Sequence, residues 1–118
     1  MKNKNLLITG AATRVGKAIA LHFAEKGWNI ALHYFRSSSK DKELKKIIEH
    51  NWVKAALIKS DLKNPKQVEK IVPLAKKKLG AIDCLINNAA LFEKMIFRIL
   101  QPKAGTIILI STFLHQQF

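Results

Sequence analysis

The 118-residue sequence is poor in several residue types, with one cysteine, one tyrosine, three prolines and five glycines. The lone Cys84 excludes an internal disulfide and a cysteine-based metal cluster, and it suits a reducing cytoplasm. So little proline and glycine excludes collagen-like and low-complexity chains. No apolar run approaches the ~20 residues of a membrane-spanning helix. The run Leu6-Leu7-Ile8 after the charged start has the look of a signal peptide's apolar region. Thr9-Gly10 ends it at once, so no signal peptide is expected. His22, His50 and His115 have no acid or cysteine at ligand spacing, and no metal site is expected.

Acidic residues are also scarce, 8 against 21 basic ones, for a net charge of +13. Such a balance suits a nucleic acid or an anionic membrane. Yet 18 of the 21 are lysines scattered along the whole chain. The densest group, Lys76-Lys77-Lys78, falls at the end of a predicted helix, where cations complement the macrodipole. Readers of nucleic acid lean on arginine and interleaved aromatics, and neither pattern is present. A lysine-rich surface is the better reading, with a basic nucleic-acid module as the alternative. Hydrophobic content of 48% and a mean hydropathy near zero describe one globular domain over residues 1–118.

What is present is an alternation of short apolar runs and amphipathic segments. Strands are expected at residues 5–9, 28–34, 53–58, 84–87 and 106–111. Between them, residues 15–26 form a helix with Val15, Ala18, Ile19 and Phe23 on one face, stopped at Gly27. A second helix starts at Ser38 or Ser39 and runs to about His50, apolar at Leu44, Ile47 and Ile48. Asn64-Pro65 opens a third, which runs to Leu79 and which Pro73 should kink or split. Trp28 and Trp52 precede strands and are expected to pack helix ends, and Cys84 to be an inert buried hydrophobe. The expected fold is α/β, a doubly wound parallel sheet of about five strands with helices on both faces.

The run Ile8-Thr9-Gly10-Ala11-Ala12-Thr13-Arg14-Val15-Gly16 joins the first strand to the first helix. There Gly10 permits a tight turn, and Gly16 lets the helix approach the strand. Free N–H groups at the helix start then point at a pyrophosphate, as in a Rossmann-type dinucleotide site. An ordinary strand–helix turn with two glycines is the competing reading. The second strand counts against it, because it ends His33-Tyr34-Phe35-Arg36-Ser37. An NAD site carries an acid near there for the ribose 2′-hydroxyl. Arg36, Ser37 and Arg14 offer cations and a hydroxyl to a 2′-phosphate instead, which points to NADP(H). Asp61 and Asn87-Asn88-Ala89-Ala90 follow the third and fourth strands, at the carboxyl ends where such sheets bind ligands.

Thr9-Gly10-x5-Gly16, Asp61-Leu62 and Asn87-Asn88-Ala89 resemble the short-chain dehydrogenase/reductase family in order and spacing. The turn with Arg14, the run His33-Tyr34-Phe35-Arg36-Ser37 and Leu91-Phe92-Glu93-Lys94 look like its pteridine reductase and dihydromonapterin reductase branch. The resemblance covers residues 5–94 and 105–112. It implies an NADPH-dependent oxidoreductase in which Gly10, Arg14 and Val15 hold the phosphates, with Gly16 in the same cofactor-binding turn letting the helix pack close. His33, Arg36 and Ser37 would surround the 2′-phosphate, Asp61 and Leu62 would flank the adenine, and Asn88 and Ala89 would line the ribose. Phe35 departs from the histidine or polar residue common at its position.

Beyond residue 94 the resemblance loosens. The family's long helix before the fifth strand has only residues 88–105 in its place, and a deletion near residues 93–101 is the simplest account. Thr112 takes the position of the catalytic serine, with Ser111 just before it. The Tyr-x-x-x-Lys pair that protonates the reduced carbonyl has no counterpart, since the sole tyrosine is Tyr34. Such an acid is typically worth ~10²–10⁴-fold in rate. The expectation is a cofactor-binding fragment without catalysis and without its catalytic C-terminal half. An active reductase completed by another chain is the alternative. The fifth strand leaves an apolar edge over residues 107–110, open to self-association.

Overall fold

The computed structural model describes residues 3–11, 13–36 and 39–88, together with the backbone of Ile107–Ile110. The elements run β1 (Asn5–Thr9), α1 (Arg14–Glu25), β2 (Asn29–Tyr34), α2 (Ser39–Glu49), β3 (Ala55–Lys59), α3 (Pro65–Val68), α4 (Ile71–Leu79), β4 (Cys84–Asn87) and β5 (Ile107–Ile110). All strand pairings are parallel, in the order β3-β2-β1-β4-β5. The chain therefore winds outward from β1 to β3, then returns across β1 to lay down β4. That reversal creates a crevice at the carboxyl ends of β1 and β4.

Each face of the sheet has its own core. In β1, Leu6 and Ile8 point to one side and pack with Ala20, Ala24, Leu44 and Ile48 of α1 and α2. Leu7 points to the other and packs with Val68, Ile71 and Ala75 of α3 and α4. All three β1 side chains are fully buried, and burial of each is worth roughly 1.5–3 kcal/mol. Such double coverage explains why the central strands read as unbroken apolar runs instead of alternating ones.

Three details differ from the sequence-based expectation. Helix α1 buries Gly16, Ala20 and Ala24, while Val15 and Ala18 are exposed. Small residues four apart let the helix lie close to the sheet, and that contact outweighs the larger side chain of Val15. The break in the third helix falls after Val68, with Pro73 in the first turn of α4. The missing N–H costs nothing there, because first-turn donors have no partner within the helix. Trp28 does pack a helix end, edge-to-face on Phe23 with centroids 5.1 Å apart. Trp52 does not. It is 95% exposed and sits at φ 62° in the left-handed region.

The amino ends of the strands are tied by buried asparagines. Asn29 Nδ2 donates to Asn5 Oδ1 at 2.9 Å, and Asn29 Oδ1 accepts the Lys54 N–H at 2.8 Å. Asn5 Nδ2 in turn donates to the carbonyls of Leu79 and Ala81. The open edge of β3 is covered in part by Lys78, whose Nζ donates to the Leu57 carbonyl at 3.0 Å. A cation on an edge carbonyl discourages pairing with a further strand.

Candidate functional site

At the opposite end of the sheet, the carboxyl ends of β3, β2, β1 and β4 lie side by side, and the turn after β1 is their centre. Gly10 takes φ 64°, which a residue with a side chain adopts only under strain. Its carbonyl receives three donors: Thr13 N–H at 3.2 Å, Thr13 Oγ1 at 2.8 Å and Asn88 Nδ2 at 3.0 Å. Thr13 caps α1 by accepting the Gly16 N–H at 3.1 Å, and also accepts Asn88 Nδ2 at 2.8 Å. The hydroxyl's single proton and both its lone pairs are thereby used. Thr13 satisfies one of the donors at the helix start; those of Arg14 and Val15 have no intrahelical partner.

Gly16 sits where nothing larger fits. An added Cβ would run into the Gly10 carbonyl and come within 2.9 Å of Asn88 Nδ2 and 3.0 Å of Ala11 Cα. Close contact of helix and turn is thus built in by the absence of a side chain. On the solvent side, Arg14 is exposed and Val15 is 43% exposed.

The end of β2 is stitched to this turn. Gly10 N–H donates to His33 Nδ1 at 3.2 Å, and Ala11 N–H donates to the His33 carbonyl at 3.2 Å. His33 Nε2 lies 2.9 Å from the Ser60 carbonyl at the end of β3. Since Nδ1 accepts, Nε2 carries the proton and donates. The ring is 2% exposed, and its burial holds the imidazole below its ordinary pKa of 6.5. The Ser60 hydrogen bond and the Asp41 carboxylate offset this in part. Beyond the strand, Phe35 and Arg36 are exposed, and the guanidinium lies 6.0 Å from the Phe35 ring centre.

Asp61 follows β3, where its carboxylate accepts the Lys63 N–H at 2.9 Å and closes a local turn. Leu62 is half-buried against the core beneath α3 and α4. At the end of β4, Asn87 Oδ1 accepts from Thr9 Oγ1 at 2.8 Å, and Asn88 is 1% exposed beneath the turn.

Gly10, Arg14, Val15, Gly16, His33, Arg36, Asp61, Leu62 and Asn88 thus belong to one end of the sheet. Two of them hold protein where a ligand contact was expected. Both His33 ring nitrogens are engaged within the chain, so the ring offers no free donor to a phosphate. Asn88 directs its amide at Gly10 and Thr13. Ser37, Ala89 and Thr112 lie outside the described residues, as do Ser111, His115 and residues 91–94. Thr13 and Ser60 also shape the site, one through its side chain and one through its backbone. A threonine three residues before a helical Gly16 was a legible capping signal. Ser60 contributes its carbonyl, which no residue type announces.

Among the described residues no three His, Cys, Asp or Glu side chains gather as metal ligands. No described helix is long and apolar enough to cross a membrane. Cys84 is buried in β4, and burial first, then the Asp83 charge, pushes its thiol pKa up. A cleft of about 620 Å³ lies at the amino ends of the strands, lined by Lys4, Asn29, Trp52 and Asp83 among others. It is on the far side of the sheet from the glycine turn.

Residues 4–113 match the family model described as short chain dehydrogenase. The 3-oxoacyl-[acyl-carrier-protein] reductase FabG of Staphylococcus epidermidis is 32% identical over 107 residues, which are 90% of this chain and 44% of that protein. The chain therefore spans less than half the length of that curated relative. A short-chain dehydrogenase from Oenococcus oeni superposes with a TM-score of 0.70 at 34% identity, over 78% of this chain and 43% of that one. A blue fluorescent protein from a metagenomic library, solved in complex with NADPH, gives 0.70 at 34% identity over 77% of this chain and 38% of its own.

Proposed function

The chain belongs to the short-chain dehydrogenase family, and from that premise we propose that its 118 residues form the NADP(H)-binding part of a reductase. Arg14 and Val15 take the bridging phosphates, on a turn whose shape Gly10 and Gly16 permit. Arg36 and Ser37 take the 2′-phosphate, Asp61 and Leu62 border the adenine, and Ala89 borders the ribose. When bound, the cofactor supplies or accepts a hydride. The chain's own part is to bind and orient it, through backbone N–H groups at the start of α1 and a cation at the end of β2.

One observation carries this reading. The glycine turn and the end of β2 are joined by two hydrogen bonds of 3.2 Å from Gly10 and Ala11 to His33. A turn suited to a pyrophosphate and a strand end suited to a phosphorylated ribose therefore adjoin, as one adenosine requires. The residues fit such a ligand. Gly16 lets the start of α1 lie against the turn, where a Cβ would meet the Gly10 carbonyl. Arg14 and Arg36 are exposed, and the run from His33 to Arg36 contains no acid to repel a phosphate. NADPH in the metagenomic relative's structure supports the phosphorylated form of the cofactor.

The substrate class is read from His33-Tyr34-Phe35-Arg36-Ser37 and Leu91-Phe92-Glu93-Lys94, which support a pteridine-reducing member. With Tyr34 as the sole tyrosine, these residues alone are expected to bind the dinucleotide without turning over a pteridine or a carbonyl.

The test is titration with NADPH and NADH, followed by Arg36→Ala. An exposed arginine on a phosphate is worth about tenfold in affinity. The variant should weaken NADPH binding by about that factor and leave NADH nearly unchanged. Equal affinity of the unaltered chain for both cofactors would remove the 2′-phosphate assignment, and failure to bind either would remove the reading altogether.

A further inference from the structure

We infer that His33 is a positioning residue that acts through Gly10, fixing the pyrophosphate turn for either dinucleotide and not discriminating between them. The inference rests on the cofactor reading above and departs from the family resemblance at one residue, because the resemblance places this histidine at the 2′-phosphate.

The geometry assigns the role. Gly10 is anchored by both of its backbone polar groups. Thr13 and Asn88 hold its carbonyl from the α1 and β4 side. His33 holds its N–H from β2. The same ring reaches the Ser60 carbonyl, and Ser60 N–H donates to the Tyr34 carbonyl at 2.9 Å. One imidazole thus ties together the ends of three adjacent strands. It is 2% exposed, and with Nδ1 accepting and Nε2 donating it has nothing left for a ligand.

The clip works only with a neutral ring. Protonation puts a hydrogen on Nδ1 facing the Gly10 N–H, so two donors oppose each other and the amide loses its acceptor. Burial already disfavours the charged form, which places this event below the imidazole's ordinary 6.5. Asp41 on α2 is the charged group that bears on the ring, and it favours the proton. The neighbours from β1 and β3 are Gly10, Ile58 and Ser60, none of which titrates in this range. The sign follows. The clip is closed above the folded-state pKa, and affinity falls as pH drops through it.

The experiment measures Kd for NADH and NADPH from about pH 8 to about pH 5, with circular dichroism to confirm that the chain stays folded. NADH gives the cleaner profile, because the 2′-phosphate of NADPH itself titrates near ~6. Both cofactors should weaken together by about three- to tenfold, the effect of one ordinary hydrogen bond. His33→Gln carries an acceptor and a donor on one uncharged amide. It should retain most of the neutral-pH affinity with a flat NADH profile, whereas His33→Leu should weaken both cofactors alike.

A flat NADH profile through the midpoint of the His33 ring titration, read by NMR on the same chain, overturns the inference, as does an unchanged profile in His33→Gln. A loss confined to NADPH overturns it as well, by returning the ring to the 2′-phosphate. In the free protein, the Gly10 amide resonance should move through the same midpoint, and its failure to move counts equally against the clip. A chain that binds neither dinucleotide at any pH brings down the cofactor reading itself, and the inference with it.

Discussion

Replacement of Gly16 by alanine sets two effects of opposite sign against each other. Gly16 is the third residue of α1, and helix propensity alone favours alanine there by about 0.8–1 kcal/mol. The new methyl, however, would meet the Gly10 carbonyl, with Asn88 Nδ2 at 2.9 Å and Ala11 Cα at 3.0 Å. Two of those contacts are backbone and cannot rotate away. Overpacking of this kind costs about 1–3 kcal/mol. Displacement of the turn also endangers the bonds from Asn88 Nδ2 to Gly10 and from Gly16 N–H to Thr13, each worth about 0.5–1.5 kcal/mol. The steric side wins, with a net loss of about 1–5 kcal/mol. Urea denaturation and thermal melting should both report it, at about 4 °C per kcal/mol for a chain of this size. Dinucleotide affinity should fall at temperatures where the variant is still folded. A Gly16→Ala chain as stable as the original, or more stable, would refute the close approach of helix and turn.

Two further perturbations probe the fold away from the site. Trp52→Gly, and more mildly Trp52→Asn, should raise stability by about 0.5–1 kcal/mol, since φ 62° strains a tryptophan and a ring 95% exposed has little burial to lose. A drop in melting temperature would mean that the ring is packed. Asn29→Ala removes two hydrogen bonds and leaves the buried Asn5 Oδ1 without its donor, at a cost of about 2–3 kcal/mol. Because it acts at the amino ends of the strands, the dinucleotide Kd measured on folded protein should not change.

The strands were legible because burial on both faces writes itself as apolar runs. Leu6-Leu7-Ile8 and Ile30-Ala31-Leu32 can be read without knowledge of their neighbours. Helix α1 was legible in extent but not in orientation. Its inward face is built of Gly16, Ala20 and Ala24, and hydrophobicity gives those residues less weight than Val15, which the structure leaves exposed. Trp52 is hard to place from sequence for a related reason: a large ring signals burial, yet its backbone conformation follows from the turn that ends α2. Within the site, the glycines, Arg14 and Arg36 could be located from their order along the chain. His33 and Asn88 could be located but not oriented. Whether a side chain at a strand end faces a ligand or the neighbouring loop depends on what lies across the sheet, which is a long-range fact.

That limit separates two kinds of residue at the site. The shape of the turn depends on groups whose polar atoms are spent inside the protein: exposed Thr13 on Gly10, and buried Asn88 on both and His33 on Gly10 and Ser60. Substitution of His33 or Asn88 leaves partners in and beside the turn unsatisfied, at about 1–3 kcal/mol each where they are buried, and should be felt by any ligand of the turn. The proposed choice between phosphorylated and plain cofactor rests instead on Arg36, exposed just outside that network, and on Ser37, the next residue in the sequence. The exposed Arg36 guanidinium lies 6.0 Å from the Phe35 ring centre, a contact worth about 0.5–1 kcal/mol at an exposed position. Cofactor preference can therefore change by substitution at the end of β2 without rebuilding the turn, whereas no substitution at His33 should change preference without first weakening both cofactors.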